Sequence, residues 1–193
     1  MRLYGHTLDK LGEPIANAQI LVKDRHFQTL YETESDAHGT YSLELPAGNY
    51  PFIMAVRDYA ERYLEYWCQN LHLTQDTQLD LSFDSLELYG LHVFQVLGGY
   101  PSLMLYVRPM SLEKFKQGGV ADCCPDIQSI RVLVDRQEVS LLVQSKVEEF
   151  IGDGAMTALL IQVSLPEQQA SWHRLDVEIR DNSGAFGAAT IFS

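Results

Sequence analysis

The chain has little positive charge, few cysteines and no long apolar run, and each shortage narrows what it does. Its 193 residues include 14 Lys or Arg against 26 Asp or Glu, a formal net charge of −12, and acidic residues outnumber basic ones on both sides of Ser85. Nucleic-acid backbones are held by clustered Lys and Arg that displace counterions. No such cluster is present, so nucleic acid is disfavoured as a partner, and anionic membrane surfaces are disfavoured on the same ground. No window approaches the roughly 18 consecutive apolar residues of a spanning helix. The start, MRLYGHTLDK, enters a strand-like pattern without the basic and then apolar regions of an export signal. The expectation is a cytoplasmic protein; if the start replaced a removed signal, it would be a secreted one.

The three cysteines, Cys68, Cys123 and Cys124, are odd in number and two are adjacent. That is not the even, spaced framework of a disulfide scaffold, so reduced thiols are expected. The adjacent pair leaves open a redox disulfide or a soft-metal site, but no second pair stands at ligand spacing to complete one. The six histidines form no HExxH or HxH arrangement, there is no GxSxG, and Gly152-Asp153-Gly154 and Asp181-Asn182 fall far short of a calcium loop. No catalytic residue, metal or cofactor is therefore assigned, and the chain reads as a non-enzyme.

What is present is a globular balance, 46% hydrophobic and 21% charged, and enough length for two compact sandwiches. Arg2 to Asp9 alternates as a first strand, Asp9 to Gly12 is a turn, and Pro14 keeps its neighbours extended. Ala18 to Asp24 and Gln28 to Ser35 read as strands. Asp36-Ala37-His38-Gly39 reads as a hairpin turn into Tyr41, Leu43 and Leu45, and Tyr50, Phe52, Met54 and Val56 fall on one face by the two-residue period.

Two patterns in this stretch, G-x6-G-E-P-I-x-x-A-x-I-x-V from Gly5 to Val22 and T-x-S-D-x-x-G-x-Y-x-L-x-L-P-A-G-x-Y from Thr33 to Tyr50, combine turn glycines with strand apolars at fixed spacing. Together they resemble the carboxypeptidase regulatory-like domains, over about residues 1–85. The resemblance implies a seven-stranded transthyretin-like (prealbumin-like) sandwich and a noncatalytic module. The chain departs from the family after Val56, where a charged and aromatic excursion, Arg57 to Tyr63, intervenes. Thr77 to Phe83 then alternates as an antiparallel closing strand would.

No Gly/Ser or proline linker follows Ser85, so the second half is expected to pack rigidly on the first. Strands are expected over Glu87 to Leu97, Ser102 to Val107, Ile127 to Val134, Val139 to Gln144, Val147 to Ile151, Met156 to Ser164, Trp172 to Arg180 and Ala185 to Phe192. A short helix capped by Ser111 is expected after the second of these. Many short strands at this spacing argue a second, immunoglobulin-like or fibronectin-like sandwich. The fold class is thus all-β: two consecutive antiparallel sandwiches, residues 1–85 and 86–193.

The candidate ligand-binding residues are Tyr59, Arg62, Tyr63, Tyr66 and Trp67, since flat rings flanked by polar groups suit stacking on sugar rings. The competing reading packs the same rings in the core or between the two halves. The functional expectation is a noncatalytic binding or interaction module with a protein-protein or assembly role. A carbohydrate-binding accessory protein and an enzyme of unrecognised type are the alternatives. The partner is a protein or a polysaccharide, and homo-oligomerisation stays open.

Overall fold

The computed structural model describes residues 1–118, 122–152, 154–165 and 171–193. In chain order its elements begin with β1 (Arg2–Leu8), β2 (Gln19–Lys23), β3 (Thr29–Glu34), β4 (Thr40–Glu44), β5 (Gly48–Val56), β6 (Tyr66–Leu73), β7 (Thr77–Gln78) and β8 (Leu81–Ser82). They continue with β9 (Leu86–Phe94), β10 (Ser102–Ser111), α1 (Leu112–Lys116), β11 (Ile127–Val134), β12 (Gln137–Glu138), β13 (Leu141–Phe150), β14 (Ala155–Ser164), β15 (Arg174–Asp181) and β16 (Phe186–Phe192). Alternation of buried and exposed residues along β1, β2, β10 and β15 is what places each strand against a core on one face only.

Three sheets form two sandwiches. In the first, transthyretin-like sandwich, β4, β1 and the short β7 and β8 face β3, β2, β5 and β6, enclosing a core that includes Leu3, Ile20, Ile53, Leu71 and Phe83. In the second sandwich, β13, β14, β10 and β9 face β12, β11, β15 and β16, around Leu88, Leu105, Val132, Ile161 and Val177. The inner sheets of the two sandwiches are one sheet, ordered β12-β11-β15-β16-β6-β5-β2-β3. Its seam is a parallel pairing of Trp67, Cys68 and Gln69 on β6 with Ala189, Thr190 and Ile191 on β16.

Several expectations need correction. The residues Leu79, Leu81 and Phe83 do alternate into the core, but β7 and β8 run parallel to β1, not antiparallel. The seam is parallel as well, so the sandwiches are not purely antiparallel. The turn at Asp36 to Gly39 is not a hairpin: β3 lies in the long sheet and β4 in the other, and the chain crosses between layers there. In the second half, Val139 to Gln144 and Val147 to Ile151 merge into the single strand β13, since Ser145 and Lys146 continue the ladder with Leu160 and Leu159. The helix forms as expected, with Ser111 Oγ accepting from Lys114 N. The Gly152 to Gly154 turn and the loop from Gln117 to Pro125 lie partly outside the described residues.

Two glycines set the close approaches. A side-chain carbon on Gly5 would lie 2.3 Å from the Leu79 carbonyl oxygen, where the last strand of the first sandwich breaks into β7 and β8. One on Gly187 would lie 2.6 Å from the Leu86 carbonyl oxygen, where β9 crosses β16 beside the seam. Replacing Gly187 by alanine is therefore expected to cost about 1–3 kcal/mol of stability through overpacking against backbone. Gly48→Ala, with nothing within 4 Å of the added carbon, is the control, and urea unfolding of both variants checks the difference. Because the long sheet spans both cores, urea transitions followed by strand circular dichroism and by tryptophan emission are expected to coincide; two separated transitions would contradict this.

Candidate binding surface beside the seam

Adjacent residues of a strand face opposite sides of its sheet, and on β6 this divides the aromatic excursion into two sites. Tyr66 points inward and is fully buried. Its hydroxyl donates to Thr190 Oγ1 at 2.6 Å, Thr190 donates to Asp176 Oδ1 at 2.6 Å, and Arg174 donates to both Asp176 oxygens at 2.8 and 2.9 Å. Burial pushes the Tyr66 phenol up, so it stays a neutral donor. This chain of bonds crosses the seam and lines a charged cleft of about 340 Å³ with Asp80, Arg136 and Glu178. Within it Arg174 and Asp176 satisfy each other, which makes Tyr66 a pin between the sandwiches.

Trp67 points outward. It stands at 86° to Phe52 and 88° to Phe27, each 6.1 Å away between ring centres, while Phe27 and Phe52 stack at 4.7 Å and 15°. Gln69, Tyr89 and Gly90 complete a depression of about 230 Å³ around these rings. Gln69 Nε2 donates to the Leu91 carbonyl at 2.9 Å and fixes β9 alongside. Arg108 lies 4.7 Å over the Tyr89 ring and donates to Glu149 at 2.9 Å. Its Nε is buried without a hydrogen-bond partner, alone in this among the described residues.

Phe27 is there because of an unusual turn. Four turns share one geometry: an aspartate, Asp9, Asp24, Asp36 or Asp181, accepts on Oδ1 from the backbone N–H two and four residues on. The residue three positions on takes positive φ and bonds back to the aspartate carbonyl. In three of the turns that residue is Gly12, Gly39 or Gly184, at φ 82°, 71° and 82°. In the fourth it is Phe27 at φ 59°, a conformation that costs a non-glycine residue about 1–2 kcal/mol. The ring it carries is half-exposed.

Trp67 Nε1 donates to Glu87 Oε1 at 3.0 Å. Glu87 is only 2% exposed, and burial, with the neighbouring Glu65 carboxylate adding to it, raises its acid to about 7. Glu65 is raised too, by its own burial. On the far side of Glu87 lies an apolar cavity of about 250 Å³ lined by Tyr59, Leu64, Met110, Phe115 and Met156 among others.

Residues 2–84 match the family model of the Carboxypeptidase regulatory-like domain. The matched stretch covers the first sandwich, and it includes Phe27, Phe52 and Trp67, while Glu87, Tyr89 and Arg108 lie beyond it. No curated protein matches the chain. Among solved structures, a DUF3823 family protein from Bacteroides ovatus aligns over 99% of this chain and 97% of its own, at 8% identity and TM-score 0.33. Another from Parabacteroides merdae covers 98% and 97%, at 12% and 0.32. BcpA, the major pilin subunit of Bacillus cereus, covers 98% of this chain and 67% of its own, at 12% and 0.33. Likenesses at these scores carry no argument about this chain.

The five residues singled out from the sequence do not form one surface. Tyr63 and Tyr66 are core residues of the first sandwich, Tyr63 packing edge-on to Phe83 at 5.5 Å. Arg62 lies exposed over the Tyr63 ring at 5.0 Å, and Tyr59 is exposed between the positive-φ residues Asp58 and Ala60. Trp67 alone joins the outer aromatic cluster. Phe27, Phe52, Tyr89 and Glu87 were not anticipated. The departure of Asp24-Arg25-His26-Phe27 from the glycine of its sister turns was a readable signal for the first. All three cysteine side chains are buried, and burial raises each thiol, which disfavours the thiolate. Among the described residues no group of three or more His, Cys, Asp or Glu is placed to hold a metal.

A carboxyl raised from 4.5 to about 7 on folding takes up a proton that the unfolded chain has lost, so its contribution to stability falls as pH rises between those values. Glu87→Gln keeps the acceptor for Trp67 without the charge. It is expected to leave stability unchanged near about pH 5 and to raise it by about 1–3 kcal/mol near about pH 8, read from urea unfolding at the two pH values. A variant equally stabilising at both would refute a buried charge at Glu87.

Proposed function

We propose that the chain is a noncatalytic protein-interaction module whose recognition surface is the outer aromatic cluster of Phe27, Phe52, Trp67 and Tyr89. The observation that carries this reading is Phe27. A residue held in strained backbone, with half its ring in solvent, is better explained by recognition than by packing. Aromatic anchors in a shallow depression beside a desolvated polar group are the usual core of a protein interface. The net charge of −12 favours a partner that offers an apolar segment flanked by cationic residues.

The polysaccharide reading has less behind it. Stacking on successive sugar rings is best served by coplanar aromatic faces, whereas Trp67 stands nearly perpendicular to Phe27 and Phe52.

With p-benzoylphenylalanine in place of Tyr89, irradiation in an extract of the source cells is expected to cross-link one protein of discrete mass. Phe27→Gly in the same chain is expected to cut that yield about tenfold or more. It should change folding stability by no more than about 1 kcal/mol, because relief of backbone strain offsets the lost stacking. The same product from a cross-linker at exposed Leu11, or tryptophan quenching by soluble glycans, would count against the proposal.

A further inference from the structure

The strand β13 ends its sheet, and among the described residues its outer edge pairs with no other strand. It is exposed along nearly its whole length, with Val143 at 50%, Phe150 at 80% and the following Ile151 at 44%. It contains no proline. An edge of this kind is a template for a further strand. A bulge between Leu141 and Val143 and the positive φ of Gly152 bound its regular length.

Symmetry restricts how two copies of this edge can pair. Antiparallel pairing of identical strands is generated by a two-fold axis perpendicular to the sheet, which keeps each face on its own side. Directly opposed residues share a face, and faces alternate along the strand, so the axis must pass through a residue and not between two. Centred on Lys146, the pairing sets Lys146 against itself; centred on Glu148, it sets Glu148 against itself. Both oppose like charges. Centred on Val147, it sets Lys146 against Glu148 twice, Ser145 against Glu149, Gln144 against Phe150 and Val143 against Ile151. Unlike charges then meet near the centre and exposed apolar residues meet at both ends. Glu149 is already neutralised by Arg108, which leaves Ser145 a compatible neighbour.

We propose that β13 pairs with β13 of a second copy of this chain, antiparallel about a two-fold axis at Val147, joining two four-stranded sheets into one of eight. The surface lies at the opposite edge of its sheet from β9, which carries Tyr89. This inference does not rest on the function proposed above, and either can fail alone.

Sedimentation equilibrium of the full chain is expected to show a reversible monomer–dimer system. Lys146→Glu is expected to raise the dissociation constant about tenfold or more, since it replaces two attractive pairs with two repulsive ones. The double change Lys146→Glu with Glu148→Lys exchanges the charges across the axis and is expected to restore dimerisation. Val147→Cys is expected to form an interchain disulfide under mild oxidation, because directly opposed Cα atoms lie about 4.5–5.5 Å apart, within disulfide reach. Ser145→Cys, facing Glu149, is not. These positions are on the surface, so circular dichroism is expected to show every variant folded. A monomer at all concentrations, a dimer indifferent to Lys146→Glu, no recovery in the exchanged variant, or Ser145→Cys linking as readily as Val147→Cys would each overturn the proposal.

Discussion

The parallel contact of β6 with β16 is the constraint on which the rest of the structure depends. It is short, three residue pairs long, yet it converts two inner sheets into one and fixes the angle at which the sandwiches meet. Parallel pairing between distant segments of chain brings no local turn to hold it, so side chains reinforce it. Tyr66, Thr190, Asp176 and Arg174 form a continuous set of hydrogen bonds on one face, and Gln69 ties β9 on the other. Lys10 pairs with Asp84 at 3.2 Å within the first sandwich, and Arg180 on β15 donates to the Lys10 carbonyl, bracing the first turn of one sandwich against a strand of the other. The depression around Trp67 exists because this seam brings β9 next to β6.

Much of the fold was legible from local chemistry. Aspartate and glycine at the turns, and alternation in Ile20 and Val22 or in Tyr41 and Leu43, placed most strands of the first sandwich within a residue or two, and the Ser111 cap placed the helix, while the strand expected over Ser102 to Val107 runs on to Ser111 and that over Glu87 to Leu97 stops at Phe94. What local chemistry does not encode is which strand lies beside which. Asp36 to Gly39 has the composition of a hairpin turn, and the same residues serve equally to carry the chain from one layer to the other. Leu79 to Phe83 alternates identically whether its neighbour runs parallel or antiparallel. The expected break between Val139 to Gln144 and Val147 to Ile151 falls at the polar Ser145 and Lys146, and an edge strand tolerates polar residues because one side of it faces water.

The site was less legible than the fold for a related reason. Tyr59 through Trp67 is dense in aromatics, and density alone does not say which rings face outward. Tyr63 and Tyr66 were consumed by the core. Trp67 found its partners elsewhere in the chain: Phe52 from β5, Phe27 from a distant turn, and Tyr89 from β9, beyond the first sandwich. Glu87 reads in sequence as one more acidic residue in an acidic chain. Only its burial against Trp67 makes it distinctive, and burial follows from the seam.

The four aspartate turns also bear on how such a surface arises and changes. In each, the aspartate and the positive-φ residue hold the backbone, while the two residues between them are mostly exposed: Arg25 and His26, Ala37 and His38, Asn182 and Ser183, with Lys10 and Leu11 in the first. The loop is thus a socket whose contents are interchangeable without disturbing the sandwich. Phe27 shows that the structural glycine itself can be exchanged, at a tolerable backbone cost, for a group that reaches a neighbouring strand. The scaffold therefore offers several separate places where new surface chemistry can be tried while the architecture stays intact.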